Sequence, residues 1–519
     1  MVFPALGLYA AVAGGGWLIY TLAHAGILAG LIARVPQTVE DVLRLADGVA
    51  GLLDFLVLFL FVLLALLVVL ISWEGPTVGD EAGLGLFVAP PAFLAAALLI
   101  WNVHLDPIRA DTVYKQGDPW DKQGQWEVAI LLYRRAIEYA PREDFYYLWL
   151  GRALLEKAAR APDSSPRRLP DGVSFEVAFR HLTLERLVVL PRGDLLEITR
   201  AVLEQARLLN PLNTDHTANL ARMHRRWADL LLDPRYCRTR IDLVAMSPEF
   251  VRHVELAGHY YEEAVRLSPN NAGLWNEWAS VDLYQRNDLE SAERKLQRSL
   301  ELDDRFDQTY QLYGDLLMVH SEKVTDPAAK RAALERAEVF YRRLVELQPE
   351  HGVGWAALAY LQDQLGRSGE ARVSRARLQA LIGSRSEAWQ SVGDFFLSHA
   401  DCALDRAQAL ALYREAAEAY GQALAANPGA LTAALRRGYA LRGVGNPEEA
   451  VATFRRAIQV AGESPEVWLF YRELAVTLAM MGQKSEAEAA ATQAWRRAPP
   501  GEQPGLQTLF AQLGLSVRP

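Results

Sequence analysis

The spacing of hydrophobic and polar positions divides the chain into two parts. Up to about residue 105, long apolar runs almost exclude charge, and the clearest is the 17-residue run FLVLFLFVLLALLVVLI at 55–71. A helix of about 20 apolar residues crosses the hydrocarbon core of a bilayer, because each residue adds about 1.5 Å. We therefore predict a transmembrane helical block over 1–105, with about three spans at 4–33, 51–73 and 84–103.

Charged residues around these runs predict the orientation of the block. Arg34 and Arg44 lie between the first two spans, and the loop from Glu74 to Glu81 is acidic. Cytoplasmic loops carry an excess of Lys and Arg, so we expect the first loop and everything after the third span in the cytoplasm. The mixed apolar and charged stretch at 37–49 predicts a helix lying in the membrane interface.

After about residue 105 the pattern becomes a repeat of about 34 residues. Small residues are expected near positions 8, 20 and 27 of each unit, a turn near 15, an aromatic near 24 and proline near 32. The first unit matches throughout, with Gly117, Gly124, Trp126, Ala129, Tyr133, Ala136 and Pro141 at these offsets. The pattern predicts about nine helical hairpins over 106–500, then a capping helix and tail over 501–519. Longer stretches between paired helices are predicted to be inserted loops, at about 158–193, 233–250, 321–331 and 399–408.

This spacing resembles the tetratricopeptide repeat (TPR) superfamily over about 390 residues. The resemblance implies a right-handed superhelix of antiparallel helix pairs, whose concave groove is lined by the first helix of each pair. Such grooves hold extended peptides or partner helices. The expected fold class is therefore all-α, with N-terminal transmembrane helices followed by a TPR-like α-solenoid.

Composition removes several classes of function. The net charge of −9 divides as −5 for residues 1–104 (2 basic minus 7 acidic) and −4 for the rest (52 minus 56), so bulk attraction to nucleic acid is not expected. Cys237 and Cys402 are far apart and have no partner spacing. They predict neither a disulfide framework nor a zinc site, but unpaired thiols in a reducing compartment.

Motifs for catalysis are missing from the sequence. It contains no Walker loop, HExxH, GxSxG or dinucleotide fingerprint, and its histidines do not have ligand-like spacing. We therefore expect a binding protein and not an enzyme, without cofactor or metal.

Two clusters are candidate partner-binding sites. Aromatic residues beside an arginine form the first, and they are typical of peptide hot spots, although about half of the set also fits core positions. Arginines at the end of one helix and in the insert after it form the second; they would meet anionic headgroups or an acidic partner, or form a solvated face with local salt bridges. The candidates are Phe145, Tyr146, Trp149 and Arg152, and Arg222, Arg225, Arg226, Arg235, Arg238 and Arg240.

The junction between the two parts carries a second resemblance. Three apolar segments are followed by Asn102, PIRAD at 107–111, YKQG at 114–117 and then PREDFYYLWLGRALLE at 141–156. This is similar to the C-terminal end of bacterial O-antigen ligase or polymerase-like membrane proteins with TPR tails. Members of that family use about a dozen helices and a large external loop, which this chain lacks, so no catalytic residue is transferred.

The sequence thus predicts a membrane-anchored TPR scaffold that mediates protein–protein interactions at the cytoplasmic face of a bacterial inner membrane. The expected partners are proteins held in the groove, membrane lipid and a multi-span membrane protein. An alternative stays open: an accessory or partial O-antigen ligase/polymerase-like protein in cell-surface glycan assembly, whose catalytic helices are missing or in another chain.

Overall fold

The computed structural model describes residues 2–33, 36–74, 105–161, 167–232 and 241–517, together with Ala95 and Cys237. All regular secondary structure in this part of the chain is helical. Apart from Ala95, the predicted third span at 84–103 lies outside the described residues. The described part of the chain forms two compact units. The boundary between them lies inside one helix, between His216 and Thr217.

Unit 1 contains two long apolar helices and the first repeat helices. Its helices are α1 (Val2–Ile32), α2 (Val39–Glu74), α3 (Asp106–Lys122), α4 (Trp126–Tyr139), α5 (Asp144–Arg160), α6 (Phe175–Arg180), α7 (Leu184–Leu187) and α8 (Arg192–Leu209), and α9 (Thr214–Leu231) begins in it. Helix α3 packs on α4, and α5 packs on α8. The insert predicted at 158–193 separates α5 from α8 and contains two short helices.

Unit 2 continues the hairpins to the end of the chain. After a short 3-10 turn (Leu243–Ala245), its helices are α10 (Pro248–Leu267), α11 (Ala272–Val281) with a π-helical end (Asp282–Arg286), α12 (Leu289–Leu302), α13 (Asp307–Lys323), α14 (Pro327–Leu347), α15 (Gly352–Gln364), α16 (Ser368–Ile382), α17 (Ser386–Cys402), α18 (Arg406–Ala426), α19 (Leu431–Val444), α20 (Pro447–Ala461), α21 (Val467–Met480), α22 (Lys484–Arg497) and α23 (Gln503–Gln512). From α11 to α22 each odd-numbered helix packs on the helix that follows it.

Local sequence explains where many of these helices begin. Side chains of Ser247, Asp326 and Asn446 accept hydrogen bonds from backbone N–H groups three residues ahead, and a proline follows each of them at the first helical position. A capping side chain satisfies one of the N–H groups that a helix start leaves without a partner. Proline fits there because its missing N–H is not needed and its φ is already helical.

Glycine and tyrosine interlock within several hairpins. A Cβ placed on Gly393 would lie 2.6 Å from Cε1 of Tyr420, and one on Gly314 would lie 2.5 Å from Cε2 of Tyr341. Both tyrosines are fully buried. The ring therefore occupies the space that a side chain at the glycine would need, and the two helices approach closely as the repeat spacing predicts.

Two of the predicted inserts extend helices instead of forming loops. Helix α13 ends at Lys323 and α14 begins at Pro327, while α17 ends at Cys402 and α18 begins at Arg406. Most of the residues at 321–331 and 399–408 are therefore helical. The prediction of inserted loops is wrong here, because most of the extra residues lengthen the helices on either side of a short turn, and Asp326 and Asp405 cap the returning helices.

The second apolar helix is longer than predicted. Helix α2 begins at Val39, so the stretch 37–49 is not a separate interfacial helix but is largely the first part of α2. Of the described residues, one segment, Val39–Leu63, is long and apolar enough to cross a membrane. The number of spans remains a prediction, and so do the domain limits at 105 and 500.

Candidate partner-binding surfaces

The first half of α2 packs on the first repeat hairpin. Val42, Ala46 and Ala50 form a buried cluster with Val113 of α3 and Leu132 of α4. These residues of α2 are spaced by four, so they lie along one side of the helix. The first half of α2 thus packs its apolar face on both helices of the first hairpin.

Two ion-pair groups hold this packing. Arg109 of α3 is largely buried and donates from Nε to Asp54 over 2.6 Å, and its Nη1 donates to Asp106 over 2.5 Å. The second group is about two turns earlier on α2 than Asp54. There Asp47 accepts a hydrogen bond from Nε of Arg135 over 2.9 Å and one from the hydroxyl of Tyr139 over 3.0 Å. Charge-assisted hydrogen bonds fix both the distance and the rotation of α2 against the hairpin.

The second half of α2 has a different surface. Leu58, Leu60 and Val62 are 56, 49 and 58% exposed. In the same stretch of α2, Phe55 and Phe59 stack on Tyr20 of α1, with ring centroids 5.2 and 4.8 Å apart. Helix α2 thus changes from a packed, charged first half to a second half with exposed large apolar side chains.

An aromatic cluster lies on α3 and α5, the first helices of the first two hairpins. Tyr114 of α3 contacts Phe145, Tyr146 and Trp149 of α5, with ring centroids 5.1 to 5.7 Å apart. We call Tyr114, Phe145, Trp149 and Arg152 the aromatic face. Phe145 is 46% exposed, whereas Tyr146 is buried and serves the core.

Arg152 completes the aromatic face. Its guanidinium lies 5.2 Å from the ring centre of Trp149, and its Nη1 is 3.8 Å from the buried carboxylate of Asp121. Burial raises the pKa of the Tyr114 hydroxyl to about 12, with smaller contributions from Asp118 and Asp111. The face therefore presents neutral aromatic rings and one cation at ordinary pH, which suits apolar and polar groups of a peptide.

Three arginines of the predicted cluster, Arg222, Arg225 and Arg226, lie on α9 in the described part of the chain. Arg222 forms two hydrogen bonds with the carboxylate of Glu277, each 2.8 Å long, and the same carboxylate accepts from the Tyr261 hydroxyl over 3.0 Å. Arg225 is half-buried and Arg226 is exposed on the same helix. Arg235, Arg238 and Arg240 lie outside the described residues. A bidentate pair of this kind orients Arg222 within the stack.

The cysteine prediction is wrong. Cys237 and Cys402 form a disulfide, with Cα atoms 5.0 Å apart. Local spacing could not reveal this pair, because the partners are 165 positions apart and are brought together only by the folded hairpins.

Sequence reasoning also missed the residues that join α2 to the hairpin. Asp47, Asp54, Arg109 and Arg135 have no motif, since each partner lies 55 or 88 positions away. The one usable signal is the placement of Asp47 and Asp54 on a helix that otherwise becomes apolar. Charged side chains within long apolar helices usually pair with another charged group.

Comparison with protein families identifies the repeat type in the C-terminal part. Residues 403–459 and 435–502 match the family model described as a tetratricopeptide repeat. This segment consists of TPR units. The matched residues include α18 to α22, whose hairpins have the packing described above.

Solved structures give a looser likeness to TPR proteins. A TPR protein of Thermus thermophilus shares 20% identity, over 38% of this chain and 98% of its own, with a TM-score of 0.23. Yeast Tom70 shares 14% identity, over 82% and 91%, with a TM-score of 0.38. Both TM-scores are below 0.5, so the TPR assignment rests on the family model and on the hairpins of this chain. No curated protein matches the chain, and the resemblance of the junction to O-antigen ligases receives no support.

Proposed function

We propose that this protein is a membrane-anchored TPR scaffold that binds a protein partner through the aromatic face. The observation that carries the proposal is the two-part character of α2. Its first half is packed against the first hairpin through Val42, Ala46 and Ala50. Its second half exposes large apolar residues.

This arrangement favours an anchor that is rigidly joined to the repeats. A flexible linker would let the repeats rotate freely above the bilayer. Here Arg109 and Arg135 pair with Asp54 and Asp47 of α2 itself. Any membrane position adopted by the second half of α2 therefore fixes the position of the first hairpin.

The aromatic face lies on that same hairpin and the next. The side chains of Tyr114, Phe145 and Trp149 contact one another and provide a rigid surface. Aromatic residues and arginine are enriched at the centres of protein interfaces. Because unit 1 contains both this face and the docked α2, a partner bound here would be held next to the membrane. That is the expected use of a scaffold.

Site-specific photo-crosslinking tests the binding role. A photoreactive phenylalanine analogue is placed at Phe145 of the full chain in its native membrane, and in a matched control at Leu208, which is 74% exposed on α8. We expect a discrete crosslinked protein at position 145 that is lost when Trp149→Ala is added. Equal crosslinking at both positions, or no effect of Trp149→Ala, would reject the aromatic face as the site.

A further inference from the structure

The disulfide joins two distant parts of unit 2. Cys237 follows α9, and Cys402 is the last residue of α17. Between them lie the helices from α10 to α17, so the bond closes these helices into one covalent ring. The chain contains two cysteines, and this bond uses both.

Such a ring is a strong constraint on a repeat stack. Each unit of a solenoid contacts its neighbours, and its curvature follows from small rotations between successive units. Without a link, rotations between α10 and α17 accumulate independently. A covalent bond between the two ends fixes the total rotation from α10 to α17.

We infer that the repeats work in an oxidising, extracytoplasmic compartment, where the Cys237–Cys402 bond holds α10 to α17 at a fixed curvature. Disulfides persist in oxidising compartments and are rare in the cytosol. The partners of the groove would then be extracytoplasmic proteins. The inference rests on the proposed function for its membrane anchor and replaces the expectation of a cytoplasmic repeat region.

Formation of the bond follows ordinary thiol–disulfide exchange. The thiolate of one cysteine attacks a disulfide of an oxidising protein and releases one of its sulfurs as a thiol, and the second cysteine then displaces the other. The S–S bond of this chain forms as the oxidant's disulfide becomes a dithiol. Two electrons and two protons pass from the cysteine pair to the oxidant.

The two arginines of the first loop argue against this inference, because an excess of basic residues is typical of cytoplasmic loops. Of these two, Arg34 lies outside the described residues, and Arg44 pairs with Glu40 at 3.3 Å and Asp41 at 3.8 Å. Helix α2 packs on the first hairpin from its beginning, so Arg44 and that hairpin lie on one side of any membrane that α2 crosses. One experiment on the repeats therefore reports the orientation of the whole chain.

Thiol trapping in intact cells tests the bond. Cells expressing the full chain are quenched with N-ethylmaleimide, and the protein is then treated with a maleimide–polyethylene glycol reagent before or after reduction. We expect no mass shift before reduction and a shift of two additions after it. A chain that is fully blocked by N-ethylmaleimide, and so never shifts, would be a dithiol in the cell and would overturn the inference.

The Cys402→Ser variant tests the compartment. Its remaining thiol at Cys237 should react with a membrane-impermeant maleimide in intact, right-side-out spheroplasts, and Cys237→Ser/Cys402→Ser gives the background. Reaction only after lysis would place the repeats in the cytoplasm and contradict us. Sedimentation of the same samples keeps the two proposals apart, since a chain that leaves the membrane fraction contradicts the anchor, whatever its thiols do.

Discussion

Gly393 shows how a single residue sets the distance between two repeat helices. The ring of Tyr420 occupies the position of a side chain at this glycine, with three ring atoms 2.6 to 2.8 Å from the Cβ it would carry. Gly393→Ala is therefore expected to destabilise the protein by about 1–3 kcal/mol, the usual cost of overpacking. Thermal unfolding of the full chain in detergent measures this.

Gly369 provides the matched control. It is exposed in the first turn of α16, and a Cβ there would meet no atom within 4 Å. Gly369→Ala should leave Tm unchanged or raise it slightly, because alanine is the better helix former. If the two variants had equal Tm values, the glycine–tyrosine interlock would have no energetic role.

His351 links stability to pH through a helix cap. Its Nδ1 accepts a hydrogen bond from the N–H of Gly354 over 3.0 Å at the start of α15, and burial lowers the pKa of the imidazole. The folded pKa is below the unfolded value of about 6.5, so the stabilisation is complete above that pH and is lost as pH falls through the folded pKa. Protonation at Nδ1 removes the acceptor.

The His351→Asn variant isolates this effect. Asparagine caps helices well and does not titrate. We expect the difference in Tm between the wild type and His351→Asn to change as pH falls below about 6.5, with the wild type losing about 1 kcal/mol relative to the variant. A difference that stays constant from pH 8 to pH 5 would show that His351 does not cap α15 in solution.

Residue-scale contacts were partly predictable from the sequence. The positions of Gly117 and Tyr133 within a repeat follow from a local period, and the structure brings them together as that period predicts. The pair of Arg222 with Glu277 does not follow, because it depends on which hairpins become neighbours. Arg222, which the sequence presents as available for a partner, is therefore paired within the fold.

At the scale of elements, α2 departs most from the sequence-based expectation. Hydropathy finds its apolar half and separates it from the charged residues before it. In the structure the two halves form one continuous helix, and Val42, Ala46 and Ala50 of its first half are buried against α3 and α4. A pattern of amphipathic residues cannot tell which apolar surface will cover it.

A charge swap tests the docking of α2. Asp47→Arg or Arg135→Asp alone should weaken the hydrogen-exchange protection of residues 40–50, and the double variant should recover part of it. Both side chains are more than a third exposed, so we expect a coupling energy of only about 0.5 kcal/mol. Additive effects of the two substitutions would indicate that the pair does not hold the helix.

At the scale of the whole molecule, helical repeats were the easiest feature to predict and the disulfide the hardest. Each hairpin is specified by residues within about 34 positions, so its signature is local. The bond between Cys237 and Cys402 depends on the accumulated geometry of all the hairpins between them. The same bond is the reason to reconsider which side of a membrane the repeats occupy.

The central claim is that one continuous helix leaves the repeat stack and enters lipid. Spin labels on single cysteines, introduced into a Cys237→Ser/Cys402→Ser background in proteoliposomes, test it directly. At Leu58 and Val62 the label should be more accessible to oxygen, which dissolves in lipid, than to a water-soluble nickel chelate, and at the exposed Arg44 the order should reverse. Greater accessibility to the nickel chelate at Leu58 and Val62 would contradict the account.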